Sequence, residues 1–97
     1  MARVDLLPRV FDDFDRIFDH LAQYDVEAAP GRVAEIVAAL GVLVTNPQIG
    51  RPVRGGKREL VIGRGTRGYL ALYRYVAELD TVFVPAVRSQ KEGGYKR

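Results

Sequence analysis

The sequence predicts an α+β fold: a short N-terminal strand, an α-helical hairpin, then a three-stranded antiparallel meander. Two observations carry that prediction. The stretch from Lys57 to Arg88 holds three β-type runs separated by two turn signals, and connections so short join antiparallel neighbours. The first half of the chain instead repeats apolar residues at helical spacing in two successive blocks. At 97 residues the chain reads as a single domain, residues 1–97. It is long enough to bury roughly 60–70% of its unfolded surface.

Ala2 to Leu7 alternates weakly, Val4 and Leu6 against Arg3 and Asp5, and reads as a short strand. Pro8 suits the first turn of a helix, where its missing N–H costs nothing. Val10, Phe11, Phe14, Ile17, Phe18 and Leu21 then form the apolar stripe of a helix ending near Ala22. Asp12, Asp13, Asp15, Arg16 and Asp19 lie largely off it and read as a solvated face. Gln23-Tyr24-Asp25 connects to a second helix that begins between Val26 and Pro30 and runs to about Thr45. Its stripe is Val33, Ile36, Val37, Leu40 and Val44, and Asn46-Pro47 ends it. Gly41 weakens this helix by about 1 kcal/mol relative to alanine and points to a close packing contact.

Gln48 to Gly56 is rich in Gly, Pro and Arg and reads as a connection. Glu59 to Ile62 is the first meander run. Gly63 to Gly68 breaks it, because its three glycines accept backbone angles that other residues resist. Tyr69 to Ala77 follows, with Tyr69, Ala71, Tyr73 and Tyr75 on one face and Leu70, Leu72, Arg74 and Val76 on the other. After the turn Glu78-Leu79-Asp80 comes Thr81 to Arg88. There Val82, Val84, Ala86 and Arg88 alternate with Thr81, Phe83, Pro85 and Val87. Proline cannot donate to a ladder, so Pro85 implies an edge or a bulge. The helices are expected to cover one sheet face and to bury Tyr73. The tail from Ser89 to Arg97 is polar and basic.

No apolar run approaches the ~18 residues of a membrane helix, so no membrane association is expected. The N-terminus has no signal-peptide pattern, and the absence of cysteine fits a cytoplasmic location. The net charge of +3 hides an asymmetry: residues 1–50 carry four Lys/Arg and eight Asp/Glu, residues 51–97 eleven and four. The basic half should attract an acidic partner, either nucleic acid or an acidic protein segment.

Nucleophilic and metal chemistry find little here. Cysteine is absent, Ser89 is the only serine and His20 the only histidine. Gly63-Arg64-Gly65 lacks the helix and the Lys-Ser/Thr pair of a phosphate loop. No cofactor or metal is expected. The strong signal is the cationic set Arg51, Arg54, Lys57, Arg58, Arg64, Arg67, Arg74 and Arg88 around the meander. Guanidinium donors match phosphate or carboxylate, and interleaved tyrosines offer stacking surfaces. The bland alternative is a soluble basic surface over core tyrosines.

The order strand, helical hairpin, three-stranded meander resembles the RelE/ParE toxin superfamily of type II toxin–antitoxin modules. Asn46-Pro47 with Gly50-Arg51-Pro52 carries the resemblance, as do Arg58-Glu59-Leu60-Val61 and Gly68-Tyr69 with Tyr73. So does Ala86-Val87-Arg88, continuing through Gln90-Lys91-Glu92 to Gly94-Tyr95. The likeness spans nearly the whole chain. It implies a toxin neutralised by a cognate antitoxin in a hetero-oligomer. Arg51, Arg58, Arg64, Arg67, Arg74, Arg88 and Lys91 are then the candidate target- or antitoxin-binding residues. An acidic, amphipathic antitoxin segment is expected on the basic sheet, touching Arg58, Arg74 and Arg88, and in the groove beside the hairpin.

The superfamily holds two activities. ParE-type members inhibit DNA gyrase and are not hydrolytic. RelE-type members resemble ribosome-dependent RNases that cut messenger RNA with lysines, arginines and a Tyr or His. Here Leu70 stands where the RNase branch usually has arginine after the tyrosine, and Ser89 where a histidine is often found. The expectation is therefore a ParE-like gyrase inhibitor. The alternative is an mRNA endonuclease on the ribosome with Arg58, Arg88 and Tyr95 as catalytic residues. A third reading is a basic RNA-binding module.

Overall fold

The computed structural model describes residues 1–95; Lys96 and Arg97, the end of the basic tail, lie outside the described residues. Strand β1 (Arg3–Leu6) leads into helix α1 (Pro8–Ala22), with Pro8 in its first turn. Asp25 organises the connector. Its Oδ1 accepts the N–H groups of Glu27 and Ala28, each at 3.2 Å, where the chain enters α2 (Ala29–Leu40). The α-helix stops at Leu40 and tightens into a 3₁₀ turn, Gly41–Val44, so the second helix is shorter than the sequence suggests. A Cβ placed on Gly41 would meet nothing within 4 Å. That glycine marks no close packing, and its effect is one of propensity.

Four more strands follow: β2 (Arg51–Val53), β3 (Lys57–Ile62), β4 (Tyr69–Val76) and β5 (Thr81–Ser89). The sheet order is β1-β5-β4-β3-β2. β1 runs parallel to β5, and the other pairs are antiparallel. The fold class is the expected one, but the meander gains a strand. Arg51-Pro52-Val53, read from the sequence as connection, pairs with Lys57 to Glu59.

Pro85 lies in a bulge, as one of the two expected options required. Leu72 pairs with Ala86 but Arg74 pairs with Phe83, so Val84 and Pro85 together oppose Tyr73. The β1 pairing ends at Leu6 and Val84, and no ladder there asks Pro85 for a donor. The extra residue reverses the alternation along β5. Val82 and Val84 face the helices before the bulge and Val87 faces them after it. Arg88 consequently turns to the opposite face, away from the group in which simple alternation places it.

One core lies between the helices and the sheet. Val10, Phe14 and Ile17 of α1 and Ile36 and Leu40 of α2 pack on Ala71, Tyr73, Val82, Val84 and Val87. Burial of this apolar surface is the main stabilising term. Tyr73 is wholly buried, and its hydroxyl accepts the Gly50 N–H at 2.8 Å. A Cβ on Gly50 would fall 2.7 Å from the Tyr73 ring and 2.9 Å from the Glu59 carbonyl, so only glycine lets the backbone close over the ring.

The α1 stripe is narrower than read. Phe11 and Phe18 are exposed, whereas Asp13 is buried. The Asp13 Oδ2 accepts the Val87 N–H at 2.9 Å, and Oδ1 accepts Arg16 Nη1 at 2.8 Å. The Val87 N–H lies beyond the end of β1, and the carboxylate satisfies a donor that would otherwise be buried and unpaired.

Candidate functional site

The sheet face away from the helices is crossed by the segment after β5. Arg88 Nη1 donates to the Glu92 carbonyl at 2.6 Å and to the Ser89 carbonyl at 3.3 Å. The Glu92 carboxylate turns back to α1 and accepts Arg16 Nε at 3.2 Å and Nη2 at 3.1 Å. Beyond it, the Tyr95 hydroxyl donates to Glu59 Oε2 at 2.6 Å. The Arg88 guanidinium carbon sits 5.2 Å from the Tyr95 ring centroid, within cation–π range. Glu59 Oε1 also accepts Arg51 Nη2 at 2.6 Å and Nε at 3.0 Å. Glu59 is on β3 and Arg88 on β5, so Tyr95 spans β4. Of the β4 side chains on that face, Leu70 lies opposite Arg88 and Leu72 opposite Glu59. Both are buried, although they point away from the helices.

Within this cluster the charges and hydrogen bonds set the ionisation of Glu59 and Tyr95. Burial alone would raise the Glu59 carboxyl. Hydrogen bonds from Tyr95 and Arg51, with the charges of Arg51 and Arg88, outweigh burial and hold it below its ordinary value. Burial, then the bond to the Glu59 carboxylate, push the Tyr95 phenol well above its ordinary range. At neutral pH the pair is therefore a neutral phenol donating to an anionic carboxylate.

The residues that an RNase would need do not converge. Arg88 and Tyr95 meet, but Arg58 pairs with Tyr73 across β3 and β4 and so lies on the helix-side face. Its Nη1 donates to the Gln48 and Gly50 carbonyls at 3.0 and 2.8 Å. His20 sits near the end of α1 against Tyr24, with ring centroids 5.3 Å apart. Arg74 Nη2 donates to the Gly55 carbonyl at 2.7 Å. Arg51, Arg58, Arg74 and Arg88 thus hold this chain's own carbonyls and carboxylates.

Arg64, Arg67 and Lys91 differ. Arg67 and Lys91 line a groove of about 540 Å³ between the helical hairpin and the β3–β4 turn. Arg32 of α2, His20, Tyr24 and Tyr69 line it too, and Arg64 extends its positive edge beside Arg32 and Arg67. Asp25, also in the wall, is turned to the backbone of the connector. Among the described residues no hydrogen bond or ion pair engages the side chains of Arg32, Arg64, Arg67 or Lys91. Arg32 escapes sequence reasoning because it is an isolated cation in the acidic half; folding brings it to the basic edge. A second cleft of about 600 Å³ opens on the other sheet face. Leu7, Phe83 and Pro85 line it with Arg9, Lys57 and Arg74. Apolar walls beside cations suit an amphipathic acidic segment.

A model of the ParE toxin of type II toxin–antitoxin systems (parDE) matches residues 4–93. No curated protein matches the chain closely by sequence. Solved structures similar to this one include a chromosomal ParDE toxin–antitoxin system from P. aeruginosa. Its identity is 25%, with a TM-score of 0.77 over 92% of this chain and 96% of that one. The RelBE2 toxin–antitoxin complex of Mycobacterium tuberculosis is 25% identical, with a TM-score of 0.58 over 92% and 98% of the two chains. The intact E. coli RelBE complex shares the fold at 17% identity, with a TM-score of 0.65 over 95% and 100%.

Proposed function

We propose a ParE-like action for this chain, which belongs to the ParE toxin family of type II toxin–antitoxin systems. It inhibits DNA gyrase in the cytoplasm and is neutralised by a cognate antitoxin in a hetero-oligomer. The observation that supports gyrase over messenger RNA is the separation of Arg58 from Arg88 and Tyr95 on opposite faces of the sheet. Cleavage by a 2′-hydroxyl needs a base, an acid and cations around one phosphate. Tyr95 keeps its proton and gives its hydrogen bond to Glu59. Glu59 has a lowered pKa and hydrogen bonds on both oxygens, which makes it a weak base. Gyrase inhibition needs a complementary surface and no proton relay.

The RelE-like endonuclease is the second reading, favoured by one fact: Arg51, Arg88 and Tyr95 gather around Glu59. Family membership supersedes the reading as a basic RNA-binding module. For the antitoxin, the groove with Arg32, Arg67 and Lys91 and the cleft with Arg9, Lys57 and Arg74 supply paired cations and apolar walls. A segment that folds on binding can lay a helix or a strand there.

Induction in growing cells with pulse labelling tests the target. DNA synthesis is expected to fall before protein synthesis, and co-expressed antitoxin to restore both. Arrest of protein synthesis first, with replication continuing, would turn the conclusion to the endonuclease.

A further inference from the structure

Helix α1 buries one flank and leaves the other with a composition that its own stability does not explain. Val10, Phe14 and Ile17 face the sheet. Phe11 and Phe18 do not, and they remain 51% and 36% exposed. They lie just under two turns apart, so both rings stand on one face, about 10 Å from each other along the axis. Asp12, Asp15 and Asp19 follow along the solvent flank beside them, and all three are exposed. Among the described residues no hydrogen bond or ion pair engages their carboxylates. The two arginines of the helix are placed elsewhere: Arg16 pairs with Asp13 and Glu92, and Arg9 lines the cleft with Phe83 and Pro85. Aspartate is a weak helix former, and like charges three and four residues apart repel. The face therefore carries exposed aromatic surface and unpaired like charge, with nothing inside the chain to offset either. Local costs of this kind mark a surface kept for a partner.

We propose that this face of α1, Phe11 and Phe18 flanked by Asp12, Asp15 and Asp19, is the surface that docks on the target enzyme, where it meets a cationic patch with an apolar pocket. The inference rests on the gyrase reading and names the complementary surface which that reading requires. Charge selects the partner. An acidic antitoxin segment suits the cations of the groove and the cleft and is repelled by the three aspartates. Ribosomal RNA, a polyanion, is repelled in the same way. An enzyme that handles DNA must instead present Lys and Arg to phosphates, and such a surface complements α1. The rings supply the anchor: aromatic side chains concentrate at interface centres and dominate their energetics, and a pair seven residues apart is the spacing of a helix laid in a groove. The carboxylates steer the approach and fix its orientation. The groove of Arg32, Arg67 and Lys91 begins at His20 and Leu21, in the last turn of the same helix. An antitoxin segment seated there stands beside the docking face and keeps the target off it by bulk.

The test uses two variants of the full chain. One combines Phe11→Ser with Phe18→Ser; the other combines Asp12→Asn, Asp15→Asn and Asp19→Asn. Each is assayed beside the parent with purified gyrase and relaxed plasmid. All five residues lie outside the core, a melting curve confirms that the fold is kept, and both variants should bind purified antitoxin as the parent does. Each should need about tenfold more protein, or more, to inhibit gyrase by half. Added salt should weaken inhibition by the parent and by the serine variant, and affect the asparagine variant far less. Parental potency in either variant, or potency lost together with antitoxin binding, would overturn the docking face and leave the gyrase reading intact. A parent that does not inhibit gyrase would defeat both.

Discussion

Tyr73 joins the core to the loop that carries Gly50, and two substitutions there separate packing from function. Tyr73→Phe keeps the ring and removes the hydroxyl that accepts the Gly50 N–H at 2.8 Å. Gly50 is itself buried, so its donor is left unsatisfied, which costs about 1–3 kcal/mol. Tyr73→Ala also removes a wholly buried ring, for which about 3–5 kcal/mol is typical. The total for alanine is then about 5 kcal/mol or more, comparable with the whole stability of a marginal domain of this size, about 5–15 kcal/mol. Thermal melting followed by circular dichroism reads both. At about 4–8 °C per kcal/mol, the phenylalanine variant should melt roughly 5–20 °C lower, and the alanine variant should be largely unfolded at 37 °C. The phenylalanine variant should still be toxic at temperatures where it is folded. An alanine variant that melts like the parent but has lost toxicity would refute the reasoning and move Tyr73 from the core to the target surface.

Three further outcomes follow from the same structure. Gly41→Ala should stabilise the chain by about 0.5–1 kcal/mol in urea unfolding, because the site is helical, at φ −61°, and open; a loss would mean that the 3₁₀ turn requires glycine. The depressed Glu59 carboxyl contributes stability that is fully present above its unfolded pKa and is lost as pH falls through the lower, folded one. Glu59→Gln should therefore flatten the acid limb of the stability–pH curve, and an unchanged limb would show that other carboxylates govern it. Arg67→Glu and Lys91→Glu should each weaken antitoxin binding roughly tenfold and leave melting unchanged, as like-charge repulsion at a docking surface requires; unaltered binding would clear the hairpin groove of that role.

Much of the fold is legible because periodicity reports it. The helical stripes, the alternation of β4 and the turn glycines each encode local geometry, and Pro85 betrays the bulge because proline cannot serve a ladder. β2 escapes because Arg51, Pro52 and Val53 are too few to show a period, and their strand identity comes from pairing with β3. Asp13 was legible in principle. It lies three residues after Val10 and four before Ile17, on the buried face, but a carboxylate there reads as solvent-facing until the unpaired Val87 N–H is known. The consequence of the bulge was also hidden. A single inserted residue moves Arg88 to the face where Tyr95 lands and leaves Arg58 on the other. The arginine set gave no sign of its division, since nothing local distinguishes an arginine that holds a carbonyl, such as Arg74, from one that borders the groove, such as Arg67.

The central claim is a choice of target, and a supercoiling assay with purified DNA gyrase tests it most directly. The purified chain, added to gyrase and relaxed plasmid, should block supercoiling or trap the cleaved gyrase–DNA complex. Stoichiometric antitoxin should restore activity, and messenger RNA on programmed ribosomes should stay intact under the same conditions. Codon-positioned cuts in that messenger RNA, with gyrase unaffected, would contradict the account and make Arg58, Arg88 and Tyr95 the catalytic candidates in spite of their separation.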